Sequence, residues 1–118
     1  MVDDSRTIRK TAKLLLERSG FEVVTAVDGM DAFVNLWSWR PDCILLDVLM
    51  PRLDGYQTCR IIRRNPGYRD TNVFMLSGQD GLLNRVLARI SGANGYIEKP
   101  FTREGLLRTI HGEAGTFF

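Results

Sequence analysis

Histidine and cysteine are nearly missing from this chain, with one His and two Cys among 118 residues. A single histidine, His111, excludes a His-rich metal site within one chain and argues against a Ser–His triad. Cys43 and Cys59 stand 16 apart, outside any CxxC spacing and too few for a disulfide framework. Both lie in apolar-flanked stretches and read as buried thiols. No uninterrupted apolar run exceeds four residues, so nothing reads as a membrane-spanning helix. An excess of one sign of charge is lacking too. Sixteen Lys+Arg against 14 Asp+Glu leave +2, too little to make nucleic acid the default partner. The one basic knot, Arg60, Arg63 and Arg64 with Arg69 nearby, reads as a solvated helix face. Met1-Val2-Asp3-Asp4 puts acid where a secretory leader needs a basic and then an apolar stretch, so the expectation is a cytoplasmic soluble domain without membrane insertion. There is no GxxxxGK and no GxGxxG after a strand, hence no nucleotide cradle.

What is present is an ordinary globular composition, 44% hydrophobic and 25% charged, at a length that suits one domain over residues 1–118. Helix-period and strand-like segments alternate. Asp3-Asp4-Ser5 offers a cap, and Ile8, Ala12, Leu15 and Ser19 form a one-sided helical stripe closed by Gly20. Phe21 to Ala26 is short and β-branched and reads as a strand. Asp28-Gly29 opens a second helix carrying Ala32, Phe33, Leu36 and Trp37, stopped by Pro41. With Trp39, Trp37 loads the end of that helix with aromatic surface that fits core or rim packing. Cys43 to Leu46 reads as a buried strand ending on Asp47. A helix follows over Tyr56 to Arg64, then a strand over Val73 to Leu76, then a helix marked by Leu82, Val86 and Ile90. Gly95 to Ile97 is a short strand leading to Lys99-Pro100, and Thr102 caps a last helix through Ile110. Residues 112–118 show no period and are expected to fray.

Such alternation predicts an α/β fold, a parallel sheet with helices on both faces. Sites in these sheets form beyond the carboxyl ends of the strands. The residues just past the apolar runs are Asp3 and Asp4, Asp47, Ser77 and Lys99. Three carboxylates at one edge repel, so one protonates or a cation enters, and oxygen ligands favour a hard ion such as Mg²⁺. An Asp beside Mg²⁺ can act as nucleophile in phosphoryl transfer, with Lys99 and Ser77 stabilising the transferred group.

Val2-Asp3-Asp4-Ser5, Leu45-Leu46-Asp47-Val48, Met50-Pro51 with Asp54-Gly55-Tyr56, Met75-Leu76-Ser77 and Glu98-Lys99-Pro100-Phe101 resemble the CheY-like receiver domain of bacterial response regulators. The likeness covers about residues 1–111. It implies a flavodoxin-like, doubly wound, five-stranded parallel sheet in the order 2-1-3-4-5 with five helices. Only Met1 and Val2 precede the acid pair, so either the first strand is short or the chain begins downstream of its natural start. It further implies Asp47 as phosphoacceptor, Asp4 and Asp47 as direct Mg²⁺ ligands, Asp3 acting through water, and the Leu49 carbonyl completing the metal site. Ser77 and Lys99 would grip the phosphoryl group, Leu49 and Gln79 would tune its lifetime, and Lys99-Pro100 would be a cis peptide. Ser77 and Tyr96 would form the switch, with Tyr96 passing from an exposed to a buried rotamer.

Implied partners are a histidine kinase as phosphodonor and a protein target on the face made by residues 82–91, Tyr96 and residues 102–111. The chain would turn over no external substrate, only its own acylphosphate. More narrowly, Asp4-Ser5-Arg6-Thr7-Ile8-Arg9, Pro51 to Cys59 and Met75 to Leu82 resemble PilG-type single-domain regulators of type IV pilus twitching motility. Two alternatives stand beside this. One is the receiver portion of a longer regulator. The other is an Asp-nucleophile phosphohydrolase, which would want a second Asp two residues after the nucleophile, where Leu49 stands.

Overall fold

The structure is a computed structural model that describes residues 1–3, 5–50, 53–78 and 82–111. Expectations for Asp4, Gln79 and the tail 112–118 lie outside the described residues. Among these residues the elements are α1 (Arg6–Arg18), α2 (Gly29–Ser38), β1 (Cys43–Asp47), α3 (Gly55–Arg64), β2 (Asn72–Ser77), α4 (Leu82–Ile90), β3 (Gly95–Glu98) and α5 (Arg103–Ile110), with a 3₁₀ turn at Pro66–Tyr68.

The helices start where short polar side chains can satisfy orphan backbone N–H groups. Ser5 accepts from the Ile8 N–H, Asp28 from Asp31, and Thr102 from Gly105. Asp54 and Gln57 form a reciprocal capping box at α3.

β1, β2 and β3 pair in parallel in that order, with Leu46 opposite Met75, Asp47 opposite Leu76 and Ser77 opposite Glu98. Alternation along the strands sorts the core into two layers. Ile44, Leu46, Val73, Met75 and Tyr96 pack with Ala32, Cys59, Ile62 and Ala88 of α2, α3 and α4. Leu45, Phe74, Leu76 and Ile97 pack with Leu16 and Leu106 of α1 and α5. Both faces of the sheet are therefore covered, as expected for a doubly wound fold. Leu46, Leu76 and Leu106 are wholly buried, each contributing about 1.5–3 kcal/mol.

Among the described residues three strands form a continuous ladder, and the first two segments of the expected five-stranded sheet join it through isolated parallel bridges, Val2 to Leu46 on one side and Val2 to Ala26 on the other. The Val2 N–H donates to Leu45 and the Asp47 N–H to Val2, at 2.7 and 2.8 Å. On the other side Asp3 donates to Ala26 and Ala26 to Met1, at 3.1 and 2.9 Å. The order 2-1-3-4-5 is thus kept in space, with Val2 flanked by the segment 21–26 on one side and β1 on the other.

The basic knot is corrected in one member. Arg60, Arg64 and Arg69 are exposed, but Arg63 is half-buried and donates to five oxygens of the loops below the sheet. Cys59 is buried and Cys43 half-buried, both free. Burial pushes their thiols up, to about 11 and about 12, the behaviour of inert packing residues. Trp39 is half-buried; the side chain of Trp37 lies outside the description.

Candidate functional site

Asp3 follows the Val2 bridge, Asp47 ends β1, Ser77 ends β2 and Lys99 follows β3. Parallel strands in register bring these ends to one edge of the sheet. Asp3 is completely buried, Asp47 and Ser77 nearly so. The Lys99 ammonium reaches between the two carboxylates, 2.7 Å from Asp3 Oδ2 and 3.0 Å from Asp47 Oδ1. Burial alone would lower the Lys99 pKa, but hydrogen bonds and charge from Asp3 and Asp47 outweigh it and hold the value above 10.5.

The backbone sets these positions closely. The Ser5 N–H donates to Asp3 Oδ1 at 2.9 Å, so the residue that caps α1 also orients the acid before it. The Lys99 N–H donates to the Ser77 carbonyl at 2.7 Å, tying the third and fourth members of the site together. The Lys99–Pro100 peptide is cis. Gly55, at the start of α3, lies directly against the Asp47 carbonyl and Val48 Cα, where any Cβ would collide. That contact holds the loop after Asp47 against the strand end. Leu49 stands two residues past Asp47, a bulky apolar side chain with 67% of its surface exposed.

Among the described residues, no three carboxylate, histidine or cysteine side chains assemble into a metal cage. The donor chemistry nonetheless suits a hard cation. Asp3 and Asp47 are buried oxygen donors that share one ammonium, leaving the trio a formal −1 at neutral pH.

Tyr96 is buried, 9% exposed, with the Arg85 guanidinium 5.4 Å over its ring and Arg85 paired to Glu98 at 3.1 Å. Two contributors escaped the sequence reading. Arg9 of α1 donates to the Asp3 carbonyl at 2.7 Å, and the Tyr56 hydroxyl of α3 donates to the Asn84 carbonyl of α4 at 3.3 Å. Burial, then the neighbouring Tyr96 and Asp54, raises the Tyr56 pKa. Neither contact leaves a local signature, because each partner comes from a separate element.

A family model for the response regulator receiver domain matches residues 1–111, and the chain belongs to that family. Receiver domains are signalling domains rather than metabolic enzymes, and they generally bind Mg²⁺. Among individual relatives, the Pseudomonas aeruginosa protein PilG is 45% identical over 117 residues, covering 99% of this chain and 87% of PilG. The Mycobacterium avium response regulator MprA is 39% identical over 107 residues, of which the chain spans 46%. Among solved structures, the Vibrio cholerae chemotaxis protein CheY4 superposes with a TM-score of 0.90 at 34% identity, covering 94% of this chain and 92% of that one. Among the described residues no helix is long and apolar enough to cross a membrane.

Proposed function

We propose that this chain is a single receiver domain over residues 1–118 that accepts a phosphoryl group on Asp47 from a histidine kinase and signals through a protein partner. The observation that carries the reading is the buried Asp3–Lys99–Asp47 bridge at the carboxyl ends of the parallel strands, in a chain of the receiver family. An Asp47 carboxylate oxygen attacks phosphorus, the donor's P–N bond breaks, and the electron pair leaves on the imidazole nitrogen. Lys99, already within 3.0 Å of Asp47, neutralises charge on the transferred oxygens, and the Ser77 hydroxyl supplies a donor beside them. Asp3, Asp4 and Asp47, with the Leu49 carbonyl, would hold Mg²⁺, which supplies further charge neutralisation when bound. A receiver within a longer regulator performs the same chemistry; a phosphohydrolase reading has Leu49 where its general acid should be.

The likeness to PilG supports a role in type IV pilus twitching control, and the net charge of +2 favours a protein over a nucleic-acid partner in the cytoplasm. Output would pass through α4, Tyr96 and α5. Tyr96 packs beneath Arg85 of α4, and Arg85 pairs with Glu98, so the switch residue is tied directly to that output face.

The reading is tested with Mg²⁺ and acetyl phosphate, followed by intact-mass spectrometry. One phosphoryl group is expected on the wild type and none on Asp47→Asn or after chelation; full-yield modification of Asp47→Asn would overturn the assignment. A second expectation concerns lifetime. Leu49 can neither orient an in-line water nor leave it room, so intrinsic dephosphorylation should be slow and Leu49→Asn several-fold faster. Phosphate release from the purified acylphosphate measures this, and an unchanged rate removes Leu49 from the argument.

A further inference from the structure

We propose that the groove between α2 and the C-terminal half of α3 docks an acidic amphipathic helix of a partner protein, whatever the phosphorylation state of Asp47. A cavity of ≈ 360 Å³ opens there, walled by Phe33 and Leu36 on one side and Ile61, Ile62 and Tyr68 on the other. Ile61 is 39% exposed at its edge, an apolar side chain the fold itself leaves uncovered. A trough between two helices is the shape that receives the apolar ridge of a third.

Charge selects the occupant. α2 and residues 55–69 carry one carboxylate, Asp31, against Arg60, Arg63, Arg64 and Arg69. Asp31 sits in the first turn of α2, where it accepts from the Val27 N–H, away from the groove. Arg63 faces the loops, donating to the carbonyls of Gly92, Tyr68 and Thr71. Arg64 lines the groove, and Arg60, one helical turn earlier on the same exposed face, extends its basic rim. The Arg40 guanidinium stacks 5.5 Å over the Tyr68 ring, and the Tyr68 hydroxyl reaches across to donate to the Leu36 carbonyl at 2.7 Å. Among the described residues, no carboxylate forms an ion pair with Arg40, Arg60 or Arg64.

The fit is to large apolar side chains flanked by Asp or Glu. A second copy of this chain fits poorly. Its most exposed apolar helix, α4, with Leu83 and Ile90 at 70% and 67%, carries Arg85 and Arg89 and would bring like charge to the rim.

Position argues for independence from phosphorylation. Asp47 meets α3 at Gly55, its first residue, whereas the groove is built from residues 61–65 of its last turns and the 3₁₀ turn beyond. At 1.5 Å per residue those ends are separated by roughly 10 Å of rigid helix.

The probe is a synthetic helix with Leu or Phe at i, i+3, i+4 and i+7 and Glu on both flanks, titrated into ¹⁵N-labelled protein. Shift changes are expected at Phe33, Leu36, Ile61, Ile62 and Tyr68, with binding weakened by added salt. Arg60→Glu with Arg64→Glu should weaken binding at least about tenfold and favour the matching Lys-flanked helix, since each factor of ten is about 1.4 kcal/mol. Ile61→Ser should weaken binding without reversing charge preference, and wild type phosphorylated with Mg²⁺ and acetyl phosphate, checked by intact mass, should bind as tightly as untreated wild type. Shifts that centre on α4 and α5, equal binding by the charge-reversed protein, or a concentration-dependent dimer that occludes the groove would each overturn the proposal. A change in affinity between the phosphorylated and untreated wild type would overturn its independence from phosphorylation.

Discussion

Lys99→Met is expected to lower stability by about 3–5 kcal/mol in metal-free buffer at neutral pH, the usual range when one partner of a buried ion cluster is removed. Asp3 has no solvent contact and Asp47 very little, while the Lys99 side chain is 18% exposed and bonds both. Without the ammonium, two buried carboxylates face each other, and one must take up a proton or the site must open. Urea midpoints for wild type, Lys99→Met, Asp3→Asn and the double variant measure this. Asp3→Asn should recover part of the Lys99→Met loss, because it removes one of the stranded charges.

The pH dependence has a definite sign. The folded-state pKa of Lys99 is raised above its unfolded value of 10.5, so its contribution is fully present below that value. It fades as pH rises through the higher folded-state value, so the gap between wild type and Lys99→Met should narrow above about pH 10.5. A neutral-pH loss under about 1 kcal/mol, the size of an exposed pair, would mean that the bridge contributes little.

The second large effect is expected at Arg63, far from this site. Arg63→Ala should cost about 2–4 kcal/mol, since charge-assisted hydrogen bonds and stranded carbonyls each carry 1 kcal/mol or more. Its Nε donates to Gly92 at 2.9 Å, Nη1 to Tyr68 and Thr71 at 2.8 and 2.7 Å, and Nη2 to Asn94 Oδ1 at 2.6 Å. That Asn94 oxygen also accepts from the Val73 N–H at 2.8 Å, so one guanidinium joins α3, the 3₁₀ turn, the start of β2 and the approach to β3. Gly92 leaves room for it: φ is +95°, and a Cβ there would stand 2.8 Å from Arg63 Cγ. Arg63→Lys should restore only a small part, because an ammonium cannot span acceptors arranged for a planar fork. Thermal melts of Arg63→Ala, Arg63→Lys and the exposed control Arg60→Ala separate this from a charge effect. Equal melting of Arg63→Ala and Arg60→Ala would return Arg63 to the solvated face.

Much of the site was legible because its members end apolar runs. A carboxylate after Leu45-Leu46, a serine after Met75-Leu76 and a lysine after Tyr96-Ile97-Glu98 all fall at one edge once the strands are parallel. Period alone then identifies α1, α3 and α4, and Ser5 and Thr102 mark the starts of α1 and α5. Arg63 was not legible. On a helical wheel it resembles Arg60 and Arg64, and only the return of the chain at Tyr68, Thr71 and Gly92 encloses it.

The sequence by itself determined the alternation of helices and strands, the two-layered core and the clustering of Asp3, Asp47, Ser77 and Lys99, because periodicity and strand polarity are local properties. Tertiary structure decided that Val2 bridges Ala26 and Leu46, placing the first two segments beside β1. It also decided that Lys99 joins Asp3 and Asp47, that Tyr96 is buried beneath Arg85, and that Arg63 is a tie rather than a surface charge. Each of these depends on groups far apart in the chain meeting at one place, where burial and geometry, not residue type, set the outcome.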